Sequence, residues 1–165
     1  MGHNASRWIA TASREESKKW CKALGADFVI DHSKGLRDEL KRIGHDEVDF
    51  VFSTTQTDQY YSAFPDIIKP FGHLTLIDDP ASFDLKPFKM KSINVNYEFM
   101  FTKSMFKFDM ESQGALLKHV AELIDQGKIR TTLNRDFRGL SAEHVKEAHG
   151  VLESGVSVGK MVMSL

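Results

Sequence analysis

The 165-residue sequence predicts an α/β fold on a parallel sheet, and three features carry that prediction. Between Trp8 and Ile77, short apolar runs alternate with longer charged stretches, the rhythm of βαβ units. The runs are continuous rather than alternating, as in strands buried on both faces. Each run stops at small or polar residues: Ser13-Arg14, Asp31-His32-Ser33, Ser53-Thr54-Thr55 and Asp78-Asp79-Pro80. Composition agrees with a globular chain, since 41% of residues are hydrophobic and 11 more are glycine. A net charge of −1, from 22 Lys+Arg against 23 Asp+Glu, argues against disorder and against a nucleic-acid partner. No apolar run reaches the roughly 18 residues of a membrane span, and no secretory leader stands first, so a cytoplasmic chain is expected. The single cysteine, Cys21, excludes an internal disulfide framework and a cysteine-rich zinc site.

In chain order, residues 1–7 are polar and unpatterned, and Asn4-Ala5-Ser6 matches a glycosylation sequon by chance in a chain with no leader. Trp8 to Ala12 reads as a buried strand. Ser13 with Glu16 forms a capping box for a helix over about Glu15 to Leu24, ended by Gly25. Phe28 to Ile30 is a second strand, and a charged helix covers about Leu36 to Ile43. Val48 to Phe52 is a third strand. A helix over about Asp58 to Ile68 is broken by Pro70 and Gly72, and His73 to Ile77 is a fourth strand. After Pro80 the rhythm changes. Ser92 to Tyr97 alternates as an exposed edge strand does, and Phe99 to Met110 is rich in Phe and Met. An amphipathic helix over about Gln113 to Gln126 ends at Gly127, Thr131 to Leu133 is a short strand, Ser141 opens a helix to Glu153, and Gly159 to Met163 is a last strand.

Open parallel sheets bind ligands outside the carboxyl ends of their strands. The polar strand ends here suit a nucleotide crevice, although ordinary loops are polar too. Ser13-Arg14 is more specific. In dinucleotide-binding folds an acid at this point bonds the ribose 2′-hydroxyl, whereas an arginine accommodates a 2′-phosphate. With no acid present, the choice leans to NADP(H), matching the planar guanidinium to phosphate oxygens; the alternative is a solvated residue at a helix start. The remaining constellations are weak. His144 and His149 stand five apart, not the four of a metal pair on one helix face. His119 reads as a surface or packing residue, Glu15-Glu16 as a helix first turn, Asp78-Asp79 as a loop, and Cys21 as a small core residue. The Phe99–Phe108 cluster reads equally as core, dimer surface or nicotinamide wall.

The segments Thr11-Ala12-Ser13-Arg14-Glu15-Glu16 and Leu24-Gly25-Ala26-Asp27-Phe28-Val29-Ile30-Asp31-His32 resemble the second-to-third-strand region of the medium-chain dehydrogenase/reductase superfamily. Ile68 to His73, Lys91-Ser92-Ile93, Glu98 to Phe101, Glu147-Ala148-His149 and Gly159 to Val162 continue the resemblance in order to the end of the chain. The nearest subgroup is the zinc-type alcohol dehydrogenase-like proteins, close to the quinone oxidoreductases. The resemblance implies an NADPH-dependent oxidoreductase passing hydride to a quinone, enone or carbonyl. It places Ser13, Arg14 and Lys18 at the 2′-phosphate and His32 beside adenine and ribose. Ser53 and Thr54 flank the adenosine, Ile77 ends the next strand, and Phe99, Met100 and Phe101 form a backbone wall against the nicotinamide. It also implies a homodimer through the Ser92–Tyr97 edge. Catalytic residues are not identified.

Departures from that pattern shape the expectation. The glycine-rich G-x-G-x-x-G turn is absent, as is the domain that carries the metal ligands in zinc-dependent relatives, so no zinc is expected. The fold expected is an incomplete Rossmann-like parallel sheet without the first strand and glycine-rich turn, followed by a helical C-terminal segment. Residues 8–101 form the partial dinucleotide-binding domain, and residues 102–165 are the segment that in the family returns to the catalytic domain, leaving apolar helix faces exposed. In the order 3-2-1-4-5-6 the missing strand is central. Either the gap closes, or another chain fills it, or the sequence is part of a longer product. Negligible turnover by these residues alone is expected. A non-catalytic nucleotide-binding or oligomerisation module is the competing reading, and a zinc alcohol dehydrogenase the third.

Overall fold

A computed structural model describes residues 6–165; the readings given for residues 1–5, including most of the sequon, lie outside the described residues. The chain runs β1 (Ile9–Thr11), α1 (Glu15–Ala23), β2 (Phe28–Ile30), α2 (Leu36–Arg42), β3 (Val48–Ser53), α3 (Thr57–Tyr60), α4 (Phe64–Ile67), β4 (Ile68–Leu76) and β5 (Asn94–Tyr97). It continues through α5 (Thr102–Met105), α6 (Glu111–Asp125), β6 (Leu133–Arg138), α7 (Ala142–Glu153) and β7 (Lys160–Ser164). Every strand pairing is parallel, as continuous apolar runs separated by helices predict.

The pairings fall into three sheets, β1-β2, β3-β4-β5 and β6-β7. The gap expected at the centre of the main sheet therefore does not close, because β1 and β3 do not pair. What joins the two parts is a common core. Ile30, Leu36 and Leu40 pack in one cluster with Phe64, Ile67, Ile68, Leu74, Leu76, Phe88 and Ile93, while Ile9, Val48 and Val51 press on its margin. Side chains from α2 and α4 thus span a division that backbone hydrogen bonds leave open.

Three local readings are corrected. The N-cap of α1 is Arg14, in extended conformation with no side-chain cap, so the Ser13–Glu16 box does not form. Its exposed first turn instead carries Glu15 and Glu16, which favour the positive end of the helix dipole. The stretch 58–68 is not one helix: Pro65, which has no N–H to donate, starts α4 afresh after a 3-10 turn at Tyr61–Ala63. Finally, β4 starts at Ile68, five residues before His73, and passes straight through Pro70 and Gly72. A bulge makes this compatible with pairing, since the register jumps from Val48 opposite Ile68 to Phe50 opposite His73. At the bulge Phe71 has φ +62°, and a Cβ on Gly72 would lie 2.6 Å from Ile68 Cγ2 and 2.8 Å from the Asp49 carbonyl.

The C-terminal sheet starts at Leu133 rather than Thr131 and carries Arg135 and Asp136, charges that hide it from an apolar-run search. It docks on α1. A Cβ on Gly159 would lie 2.9 Å from Trp20 Cζ2, and the Arg130 guanidinium donates to the Ala23 carbonyl at 3.1 Å. As expected for α6 and α7, apolar side chains on them, including Leu116, Leu117 and Leu152, are exposed. The expected cap of α7 forms, Ser141 Oγ accepting from the His144 N–H at 3.2 Å. No helix among the described residues is long and apolar enough to cross a membrane.

Candidate functional site

The carboxyl ends of β1 to β5 form one continuous rim, linked contact by contact. The Ala12 N–H donates to the Ile30 carbonyl at 2.9 Å, tying the end of β1 to β2. His32, just past β2, meets Tyr60 of α3 edge to face at 5.9 Å, crossing the unpaired division. Past β3, Thr57 binds Asp78 beyond β4, its N–H donating at 2.9 Å and its hydroxyl at 2.5 Å. Ser53 Oγ lies 2.8 Å from Thr57 Oγ1, and the Ile77 N–H donates to the Ser53 carbonyl at 3.2 Å. The Glu98 N–H then donates to the Leu76 carbonyl at 2.9 Å, bringing in the end of β5.

Of the site residues expected from sequence, Ser13 and Arg14 sit together where β1 passes into α1. Among the described residues the Arg14 guanidinium has no hydrogen-bond or ion-pair partner. Lys18, one turn on, is more constrained: its ammonium is 3.1 Å from Glu15 and 3.6 Å from Asp31. The bond to Glu15 raises its pKa, so it stays cationic. Ser53 is buried with its hydroxyl on Thr57, whereas Thr54 and Ile77 are exposed on the rim. Phe99, Met100 and Phe101 follow β5 and are exposed. The Phe99 and Phe101 rings meet at 5.4 Å, and Gln113 Nε2 of α6 donates to the Met100 carbonyl at 2.7 Å.

Two groups were not legible as site residues. Thr57 is fully buried, and its hydroxyl joins Ser53 to Asp78, locking the loops after β3 and β4. Burial pushes the Asp78 carboxyl up, but the Thr57 hydroxyl and N–H together hold it below the ordinary aspartate value. Nothing in the local sequence pairs residues 57 and 78. Glu39 lies in a helix read as charged and solvated, yet it is buried. It accepts the Asp31 N–H at 2.8 Å and both Arg42 guanidinium bonds at 2.9 Å. The Arg42 bonds lower its pKa to about 2. Asp31 is held low mainly by the Ser33 hydroxyl, with Lys18 adding charge. Together Lys18, Asp31, Lys34, Glu39 and Arg42 line a cavity of about 330 Å³ beside β2.

The rim's described hydrogen bonds close on one another, and the Arg14 guanidinium is the unengaged charge beside them, which suits an anionic ligand. The rim does not suit a metal. Among the described residues no three His, Cys, Asp or Glu side chains come together as ligands, and Cys21 lies within α1. The parallel strands, crossover helices and polar rim at the carboxyl ends define a dinucleotide-binding type of α/β fold.

Comparison with known proteins gives the family. Residues 24–163 match the family model described as zinc-binding dehydrogenase, and the chain belongs to that family. A zinc-type alcohol dehydrogenase-like protein of Staphylococcus aureus is 36% identical over 159 residues, covering 95% of this chain and 48% of that protein. A Rhizobium etli structure named as a zinc-dependent alcohol dehydrogenase superposes with a TM-score of 0.87 at 46% identity, covering 95% of this chain and 46% of the other. A Vibrio vulnificus protein in complex with NADPH shares the fold, with a TM-score of 0.71 at 22% identity over 96% of this chain and 49% of its own. An Escherichia coli alcohol dehydrogenase in complex with NADH does so too, with a TM-score of 0.73 at 14% identity over 99% of this chain and 46% of its own. The chain thus spans about half the length of the relatives it matches. The family's description names zinc, but the residues described here do not fit that ion.

Proposed function

We propose that this chain holds the adenosine end of NADPH in an oxidoreductase that passes hydride to a quinone, enone or carbonyl. When bound, the nicotinamide supplies the hydride; these residues hold and orient. Arg14 carries the reading. It follows the carboxyl end of β1, where Ser13 rather than an acid ends the strand, and has no side-chain partner among the described residues, as a 2′-phosphate requires. Lys18 adds charge one turn away, His32 and Tyr60 offer ring edges for the adenine, and the loops locked by Thr57 and Asp78 carry Thr54 and Ile77. Fold neighbours with NADH and with NADPH support a nicotinamide dinucleotide in general, and Arg14 supports the phosphorylated one. The missing glycine-rich turn leaves no cradle for the pyrophosphate here, so these residues alone give negligible turnover.

Calorimetric titration of NADPH and NADH tests this. Arg14→Ala is expected to weaken NADPH about 10-fold or more, the worth of a charge-assisted bond, while leaving NADH unchanged. Equal NADPH affinity in the variant removes Arg14 from the site. If the unaltered chain binds neither dinucleotide, the exposed Phe99–Phe108 surface favours an assembly module instead. Assembly also enters the reading directly: β5 pairs only with β4, so its outer edge is free to pair across a two-fold in a homodimer.

A further inference from the structure

We infer that the cavity bounded by α1, β2 and α2 is a subsite for one phosphate monoester dianion, and that Lys34 is the cation that selects it. Lys18, Val29, Asp31, Lys34, Glu39 and Arg42 line this cavity. Three cations against two carboxylates leave it one net positive charge, and the bonding pattern shows where that charge sits.

Four of the five charged groups are already engaged. Glu39, buried in α2, takes both Arg42 guanidinium bonds at 2.9 Å and the Asp31 N–H at 2.8 Å. Asp31, also buried, accepts from the Ser33 hydroxyl at 2.6 Å and from the Ser33 N–H at 3.1 Å. Lys18 stands 3.1 Å from Glu15 and 3.6 Å from Asp31. Lys34 differs. It is exposed in the turn His32–Lys34 that follows β2, and its ammonium has no hydrogen bond or ion pair among the described residues. It is nevertheless near both carboxylates: its charge adds to the Ser33 bonds that hold Asp31 low and to the Arg42 bonds that hold Glu39 low. The surplus charge of the cavity is the Lys34 ammonium.

A dianion suits this arrangement better than a single charge. It neutralises Lys34 and also draws Lys18 away from Glu15, a pair weakened by water because the Glu15 side chain is 80% exposed. A lysine binds phosphate as a point charge and needs no planar match. The volume, about 330 Å³, is at the small end of the roughly 300–1,000 Å³ of small-molecule sites, so it takes a compact group. Lys18 lies one turn along α1 from Arg14, so the 2′-phosphate of NADPH is the dianion we assign here, and in that choice of ligand the proposal rests on the NADPH reading. Free phosphate is the other source of the same chemistry.

The full 165-residue chain is titrated calorimetrically with NADPH, NADH and inorganic phosphate, unaltered and as Lys34→Ala and Lys34→Arg. Lys34→Ala is expected to weaken NADPH about 10-fold, to leave NADH unchanged and to keep the melting temperature, since the side chain is exposed. Lys34→Arg, which keeps the charge, is expected to recover most of the loss. Phosphate that competes with NADPH but not with NADH identifies the 2′-phosphate as the occupant. Phosphate that binds through Lys34 without displacing NADPH identifies free phosphate instead, and either result supports the subsite. Lys34→Ala with unchanged affinity for both NADPH and phosphate overturns it, and a loss at Arg14→Ala in the same titrations would then leave the NADPH reading standing. If the unaltered chain binds none of the three, both fall.

Discussion

Residues 8–101 and residues 102–165 both expose large apolar side chains, among them Phe71 and Met90 in the first, but they differ in how much apolar surface they bury. Among the described residues, the first region contains eleven of the thirteen buried apolar side chains, centred on Leu74, Leu76 and Phe88, and the second contains Phe137 and Ala148. Yet the second presents Met105, Phe106, Phe108, Leu116, Leu117 and Leu152 to solvent. The amphipathic stripe of α6 is therefore not evidence of a core in this chain. Its Leu116 and Leu117 face solvent, whereas the apolar side chains of α2 and α4 meet a sheet within the chain.

The contrast is broken most directly by truncating one leucine in each region. Leu74, fully buried on β4, should cost about 2–5 kcal/mol as Leu74→Ala, through lost transfer energy and the cavity left behind. Leu117→Ala, at a residue 70% exposed on α6, should change stability by less than about 0.5 kcal/mol. Urea unfolding of the two variants gives both numbers. Comparable losses would mean that α6 is covered in solution, and the two regions would no longer differ.

A smaller effect tests how the core region holds its rim. Thr57→Val keeps the shape of the side chain but removes the hydroxyl that joins Ser53 to Asp78. Leaving those groups unpaired should cost about 1–3 kcal/mol, and Thr57→Ser, which retains the hydroxyl, should recover most of it. Thermal unfolding of the pair separates the hydrogen bonds from the packing of the methyl group. An unchanged Thr57→Val protein would show that the two loops are held by their backbones alone.

The strands of the first region were legible because continuous apolar runs mark them, and β1, β2 and β3 fall close to where those runs lie, although Trp8, Phe50 and Phe52 in those runs are exposed rather than buried. Ser141 was legible as a cap because its partner is three residues away. What escaped reading depends on distance or on a partner strand. The start of β4 is hidden because Pro70 and Gly72, ordinarily breakers, sit in a bulge that only pairing with β3 creates. The Thr57–Asp78 lock joins residues 21 apart, with no local pattern linking them. Arg14 and Lys18 were located by their place after a strand, but the sequence does not show that Lys18 is already held by Glu15 and Asp31. The division between β1 and β3 is legible in the absent glycine-rich turn, whereas the core residues of α2 and α4 that span it are visible only in three dimensions.

The gentlest probe of the contrast is acid. Glu39, in the first region, has a folded pKa of about 2 against an ordinary 4.5, chiefly because Arg42 bonds its carboxylate and the Asp31 N–H adds a second donor. A carboxylate depressed in the folded state stabilises above its unfolded pKa, and the contribution fades as pH falls from about 4.5 through about 2. Melting temperature should therefore drop across that window, and Glu39→Gln should flatten part of the drop while lowering stability near neutral pH. If the acid slope is identical in the variant, Glu39 does not tie α2 to the end of β2. The region with the buried core would then owe its acid sensitivity to other carboxylates, Asp31 and Asp78 being the next candidates because both are held below their ordinary values by hydrogen bonds.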